Sequence, residues 1–502
     1  MRPGILAAVA VAAWAAGAAA DEIAGADEAV TEDGGPRLDV GLDGYYRARA
    51  YAVGNVLYLH EAVARSQYYL TQRLRLQPVV SYGDYARLHV TVDCLDNVVW
   101  GDNAGLASTP LFASDPSLTG LTGSEVPYVL LRHAWIEADV RLGIVRVGRQ
   151  PSHWGLGLLT DAGEGFDDDF GDNRYGSSYD RVLFATMPIS VGRAIAGLDP
   201  GETPLILAVA YDKLVEQPLD EGSTRPIYES AWLADNEDDV DQWTVALAWK
   251  QDDLDLLAPT DSIAAGVYFV YRDQASTRSK VYIVDGFFKL HLHDFFAEGE
   301  ALWIGGTSSA IPLGPEQPDG LYAEKEADIL GWLVRAGWRP GRWTIKVEAG
   351  YASGDDNPND REFTGMALHP DVNVGLLMYE ELLAELTRAA WVDNDGMWSK
   401  GGVYNSHYLT ITGIVEPIDG LEILLGVLSA WVDKPDGAVL LNDGWLGTEI
   451  DLAVRYRFHG DTIRAVLEGG WLRPANGPLD LAEVRLVNTE MWTVQSRIAF
   501  VF

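Results

Sequence analysis

The sequence predicts an all-β chain that closes into a single transmembrane antiparallel β-barrel of about 18 strands, with short periplasmic turns and long extracellular loops. Three observations predict it. Apolar residues recur at every second position in segment after segment, to the end of the chain. The connections between these segments alternate between short and long. The chain opens on an export signal, yet no later stretch is long and uncharged enough to be a spanning helix.

Taken in order, residues 1–20 read as a signal peptide: Arg2, an apolar run, then Ala18-Ala19-Ala20 before Asp21. Residues 21–40 read as an acidic periplasmic leader, Ala- and Gly-rich and without periodicity, hence disordered. Residues 41–502 read as the barrel. Its strands fall at 41–53, 65–79, 85–97, 127–140, 142–150, 179–190, 203–213, 240–250, 262–273, 279–292, 295–305, 326–339, 341–353, 403–415, 420–432, 445–458, 461–473 and 489–502. An even number of strands puts both ends on the periplasmic side. Gly83-Asp84, Arg339-Pro340-Gly341-Arg342 and His459-Gly460-Asp461 are tight turns, whereas 98–126, 151–178 and 354–402 are long loops. A soluble two-sheet protein has no reason to alternate in this way. In the last strand, Trp492, Val494, Ile498, Phe500 and Phe502 share the oily face, and Thr493, Gln495 and Arg497 share the other. A terminal Phe after such a strand resembles the assembly signal of bacterial outer-membrane proteins, which implies the barrel-assembly machinery as a partner.

The formal charge is −37, which argues against a nucleic-acid partner. One cysteine, Cys94, excludes an intrachain disulfide and shares its face with Val90 and Val92. The 17 Trp and 22 Tyr suit aromatic girdles at two membrane interfaces, with lipid and lipopolysaccharide as the expected surroundings. The acidity gathers in loops: 151–178, 215–239 and 354–402 carry −5, −7 and −7, half of the total. The sequence thus places an acidic outer rim around a wall that leans basic.

Lipid requires the outward face to be apolar, so polar residues of the opposite parity face the lumen. The pore-lining candidates are Arg47, Arg49, Arg73, Arg75, Arg87, Arg146, Arg335, Lys346, Arg455, Arg457, Arg464 and Arg497. Inward acids include Asp93, Glu137, Glu348, Glu449, Asp451 and Glu468. Partial pairing between the two sets stiffens a wall; an excess of bases attracts anions. Loop 151–178 is expected to narrow the mouth. Residues 376–390 have helical spacing and read as a helix packing the longest loop against itself, with a lid or plug as the alternative. Asp355, Asp356, Asn357 and Asp360 are candidate Ca²⁺ ligands, being hard oxygens in a turn, although such turns form equally well without metal. Arg149 belongs either to the rim or, through a bulge, to the lumen.

Val147-Gly148-Arg149-Gln150 and Gly350-Tyr351-Ala352-Ser353-Gly354-Asp355-Asp356-Asn357-Pro358-Asn359-Asp360 resemble the alginate-export family of outer-membrane porins. That resemblance implies an 18-stranded barrel and passive export or diffusion through an Arg-lined pore, with alginate the cargo of some members. No G-x-S-x-G, H-E-x-x-H or phosphate loop is present, so no enzyme is expected. His291-Leu292-His293-Asp294 reads as structural. The expected function is passive diffusion or export of hydrophilic, anionic solutes, including polysaccharide, across the outer membrane of a Gram-negative bacterium. The alternatives are an adhesive, surface-binding barrel with a plugged lumen and, further off, an outer-membrane hydrolase.

Overall fold

The computed structural model describes residues 37–58, 63–101, 129–163, 166, 168–201, 203–214, 240–311, 317, 320–357, 359–388, 398–435, 441–475 and 490–502. The signal peptide and the leader up to residue 36 lie outside the described residues, as does the acidic stretch 215–239.

Where the outward face must meet lipid, alternation of residue type dictates extended chain, and the strands follow it. They are β1 (Leu38–Tyr58), β2 (Val63–Tyr82), β3 (Ala86–Gly101), β4 (Val129–Val140), β5 (Gly143–Ser152) and β6 (Ser177–Thr186). There follow β7 (Leu205–Leu214), β8 (Val240–Gln251), β9 (Ser262–Gln274), β10 (Ser279–Leu292), β11 (Phe295–Ser308), β12 (Lys325–Trp338) and β13 (Trp343–Ala352). After the two-residue β14 (Glu362–Phe363) come β15 (Ser406–Ile418), β16 (Leu421–Val432), β17 (Trp445–Phe458), β18 (Ile463–Pro474) and β19 (Met491–Val501). All belong to one 19-stranded sheet, but β14 only runs parallel beside β12, so 18 strands form the wall. Each wall strand is antiparallel to the next, and β1 pairs with β19 from Tyr45↔Val501 to Gly54↔Trp492. The sheet is therefore a closed barrel with no free edge around its belt.

Burial alternates as the periodicity requires. On β19, Val494, Ile498 and Phe500 are exposed, while Thr493, Gln495, Arg497 and Ala499 are buried. Exposed Trp249, Trp338 and Trp343 mark the end with the tight turns, and Trp243, Trp303, Trp431 and Trp471 mark the other. An apolar belt between two aromatic girdles is the architecture of barrels that cross an outer membrane.

Two boundaries differ from the expected ones. The leader was expected to reach residue 40, but β1 begins at Leu38. The sixth strand was expected to run to 190; it stops at Thr186, because Pro188 opens helix α1 (Pro188–Ile195) in the following turn. Of the two places the sequence leaves open for Arg149, the structure gives the rim: it stays on the outer face and pairs with Asp180 at 2.7 Å, and no bulge turns it inward. The interior is partly apolar. A buried apolar cluster joins wall residues Leu302, Leu333, Leu424, Leu428 and Leu472 to loop residues Leu158, Phe170, Leu377, Met378 and Leu383. Two long loops therefore fold into the barrel, and the functional site is built from them.

Candidate functional site

β1 and β2 run side by side, so Arg47, Arg49, Arg73 and Arg75 project from one face at period two, and all four are buried. Arg497 lies directly opposite Arg49 on β19. Arg464 on β18, Arg455 on β17 and Lys346 on β13 extend this arc around the wall. A strand bulge between Thr91 and Val92 adds Arg132 of β4, whose parity in the sequence points outward. It reaches Asp93 at 3.5 Å and the carbonyl of Tyr175.

The loop after β5 runs along this arc with its acceptors turned to the arginines. Arg75 donates to the carbonyl of Gly163 at 3.4 Å, Arg497 to Gly171 at 3.2 Å and Arg73 to Arg174 at 3.3 Å, while Arg455 donates to Asp169. Lys346 pairs with the Asp169 carboxylate. The ring of Phe166 lies 5.3 Å from the Arg464 guanidinium and 5.7 Å from that of Arg497. Phe170 seats against Gly426 of β16, where a Cβ would stand 2.5 Å from its ring, so only glycine admits this approach. Asp172 takes Arg47, Arg49 and Arg497 at once and is fully buried. Burial alone would push its carboxyl up; the charges of Arg47, Arg497 and Arg49 overcome that and hold it below its ordinary value.

The loop after β13 closes over the first one. The Asp371 carboxylate accepts the consecutive backbone N–H groups of Arg174, Tyr175 and Gly176 at 2.5–3.1 Å. His369 donates its backbone N–H to the carbonyl of Leu158 at 2.8 Å, and Asn373 donates to Asp168 at 2.6 Å. Beyond them stands a lumenal helix, a π turn at Met378–Leu383 that continues helically to Arg388. Its first amides, on Leu376, Leu377 and Met378, donate to Glu449 of β17 at 2.7 Å, and the Tyr379 hydroxyl meets Ser406 of β15 at 3.0 Å. The helix was expected to pack its loop against itself. Instead it packs on the inner wall, because its apolar face meets inward Leu, Ala and Tyr side chains of the wall. Across the ring from β1, Asp285 on β10 and Glu300 on β11 receive the Trp154 indole N–H and the Leu156 amide. The lumen thus carries a basic arc and an acidic arc, with loop 153–176 reaching both.

The remaining candidates fall in several places. Arg87 and Arg146 share Glu137 at 2.9 and 2.7 Å, and Arg335 pairs with Glu298; these are fixed wall-to-wall pairs. Arg457 sits at the periplasmic end, where it is 41% exposed and pairs with Glu422, away from the arc. Arg181, which the charge pattern passed over, makes a buried bidentate pair with Asp212 at 2.6 and 2.9 Å. The acidic rim is also revised: Asp161, Asp172 and Asp371 are buried inside rather than spread around the mouth. Asp355, Asn357 and Asp360 lie in a run of Asx turns. Each oxygen accepts a nearby backbone N–H, from Asn357 or Thr364, Asn359 and Glu362 respectively, and Asp356 stands 3.8 Å from Lys434. Among the described residues no group of three or more His, Cys, Asp or Glu is placed to hold a metal ion.

Three carboxyls on the inserted loops keep their protons into the neutral range. Burial pushes Glu380 up to about 8, with Glu381 adding to it, and burial pushes Glu381 up to about 7. Burial and the charges of Asp161, Asp172 and Asp169 push Asp168 up to about 7 against its bond from Asn373. With the loops docked these groups hold protons that undocked loops release, so docking weakens as pH rises from the ordinary carboxylate range through 7–8 and then levels off. Asp172 acts oppositely, but only in acid below its ordinary value. Backbone hydrogen exchange across 168–176 and 376–388 is expected to speed up from pH 5 to pH 8 beyond its intrinsic rise, and Glu380→Gln with Glu381→Gln to flatten the change. Protection that is constant over this range excludes the mechanism.

No family model matches the chain, and no curated protein matches it. The resemblance to alginate-export porins therefore finds no support. Among solved structures the chain is similar to Pseudomonas aeruginosa OpdQ, at 9% identity and a TM-score of 0.49 over 92% of this chain and 97% of that one. It is also similar to P. aeruginosa OccK9 (OpdG), at 11% identity and 0.48 over 92% and 98%, and to P. aeruginosa OpdK solved with vanillate, at 9% and 0.47 over 92% and 98%. The closed ladder and its apolar belt fix the architecture without them. The chain is a closed 18-stranded antiparallel β-barrel of the kind that crosses an outer membrane. Two of its loops enter the lumen and pack against the inner wall.

Proposed function

We propose that the chain is an outer-membrane channel for passive diffusion of small hydrophilic solutes, with a preference for anions. The observation that carries this reading is the basic arc. Strand periodicity brings its guanidinium groups to one face, and three of them, on Arg47, Arg49 and Arg497, gather on the single carboxylate of Asp172, an excess of positive charge at that point. In a narrow, low-dielectric lumen such an excess raises the local concentration of anions. Passive diffusion carries net movement down the solute gradient.

Reversal potential in planar bilayers under a salt gradient tests the reading. Anion preference is the expected result, and cation preference overturns it. A second reading, a closed barrel that binds at the surface, is favoured by one observation: the lumenal helix and Phe170 fill part of the bore with buried apolar side chains. A barrel that inserts without conducting supports that reading instead.

A further inference from the structure

We propose that Asp172 is a tethered occupant of a three-arginine carboxylate site, and that a small carboxylate solute takes its place there. The inference rests on the channel reading above and adds how the lumen regulates its own anion site.

Three guanidinium groups are held by two adjacent strands. Arg47 and Arg49 are two residues apart on β1, and Arg497 faces Arg49 across the seam with β19. Rigid strands keep these like charges close together, so the site requires an anion. In the structure that anion is the Asp172 carboxylate. One of its oxygens pairs with Arg47 and, at 3.4 Å, with Arg49; the other pairs with Arg497 at 2.8 Å. One negative charge meets three positive ones. Glu468 stands nearby but spends an oxygen on the Gly171 amide, at 3.3 Å. Phe166 supplies an apolar floor, 6.0 Å from Arg47 and 5.7 Å from Arg497.

The origin of the carboxylate separates this site from the other buried pairs. Arg75–Asp93, Arg146–Glu137, Arg181–Asp212 and Arg335–Glu298 each join neighbouring wall strands and cannot part while the sheet stands. Asp172 arrives on a loop, next to Gly171 in the left-handed region at φ 77°. It can leave without breaking a strand ladder. A solute carboxylate offers the same two oxygens to the same donors. It competes against the high effective concentration of a tethered group, so resting affinity is low, and removing the tethered charge raises it.

Succinate is the probe, with the full-length barrel in detergent for calorimetry and in planar bilayers for current block. Asp172→Asn and Asp172→Ser are expected to bind succinate at least about tenfold more tightly than the parent and to show block at correspondingly lower concentration. Glu362→Gln, which removes one exposed charge from the other inserted loop, is expected to bind as the parent does. Equal affinity in the parent and both Asp172 variants overturns the proposal, as does an equal gain in Glu362→Gln, which would make the effect one of net charge. Failure of both Asp172 variants to assemble also overturns it, because the contact is then a structural ion pair. Absence of conductance in the parent removes the channel reading while calorimetry still decides the site. Equal succinate binding removes the site while leaving the channel.

Discussion

Replacing Leu376–Arg388 with a glycine–serine segment of equal length is expected to raise single-channel conductance several-fold. The helix is held in the bore by two things only this sequence supplies. Leu376, Leu377, Met378, Leu382, Leu383 and Leu386 are buried against the inner wall. Glu449 accepts three amides at the helix start, where the backbone dipole favours a negative group. Burying one such side chain is worth roughly 1.5–3 kcal/mol, so the apolar set dominates and its loss releases the segment. Conductance is the measurement, because emptying the bore widens the conducting path directly. The wall itself survives, since its ladder hydrogen bonds run from strand to strand and none of them runs to the helix. An unchanged conductance with an intact barrel shows that ions pass elsewhere and overturns the assignment of the helix as an obstruction.

Arg75→Ala is expected to destabilise the barrel by about 3–5 kcal/mol, the cost of leaving a buried charge without its partner. Arg75 and Asp93 form a bidentate pair at 2.6 and 2.8 Å, with side chains 1% and 3% exposed. Arg132 touches the same carboxylate only at 3.5 Å, too far to replace two short bonds. Equilibrium denaturation in guanidinium chloride, followed by tryptophan fluorescence, measures the loss. The double variant Arg75→Leu/Asp93→Leu is expected to recover much of it, because two apolar groups bury without an unpaired charge. A loss below about 1 kcal/mol for the single variant shows that water reaches Asp93 and places this part of the arc in open solvent.

The wall was legible in the sequence because lipid imposes a simple rule on it. Any strand with one face in hydrocarbon must alternate, so 279–292 and 445–458 could be read to the residue. The inward side of Arg47, Arg49, Arg73, Arg75 and Arg497 followed from the same rule. It failed where the period slipped: the bulge in β4, opposite Thr91 and Val92, turned Arg132 inward against its parity. It also failed where no period exists. Asp172 meets Arg47 across 125 positions of chain, through a loop whose composition announces acidity but not destination. The lumenal helix shows an intermediate case. Its 3.6-residue spacing was visible, yet spacing identifies an apolar face without saying what covers it. The wall that covers it is itself an exception, since Leu302, Leu333 and Leu424 are apolar at inward positions.

The seam between β1 and β19 sets an order of events. Other ladders in the wall join strands that follow one another along the chain, so each needs only the loop between them to close. The seam joins Arg49 to Gln495 across 446 positions. Its closure entropy is the largest in the molecule, and nothing local pre-aligns it. Until β19 arrives, β1 presents an unsatisfied row of backbone donors and acceptors that hydrocarbon does not tolerate. Assembly in the membrane must therefore shelter one open flank until the last strand docks, and Asp172 cannot meet all three of its arginines before that flank has shut.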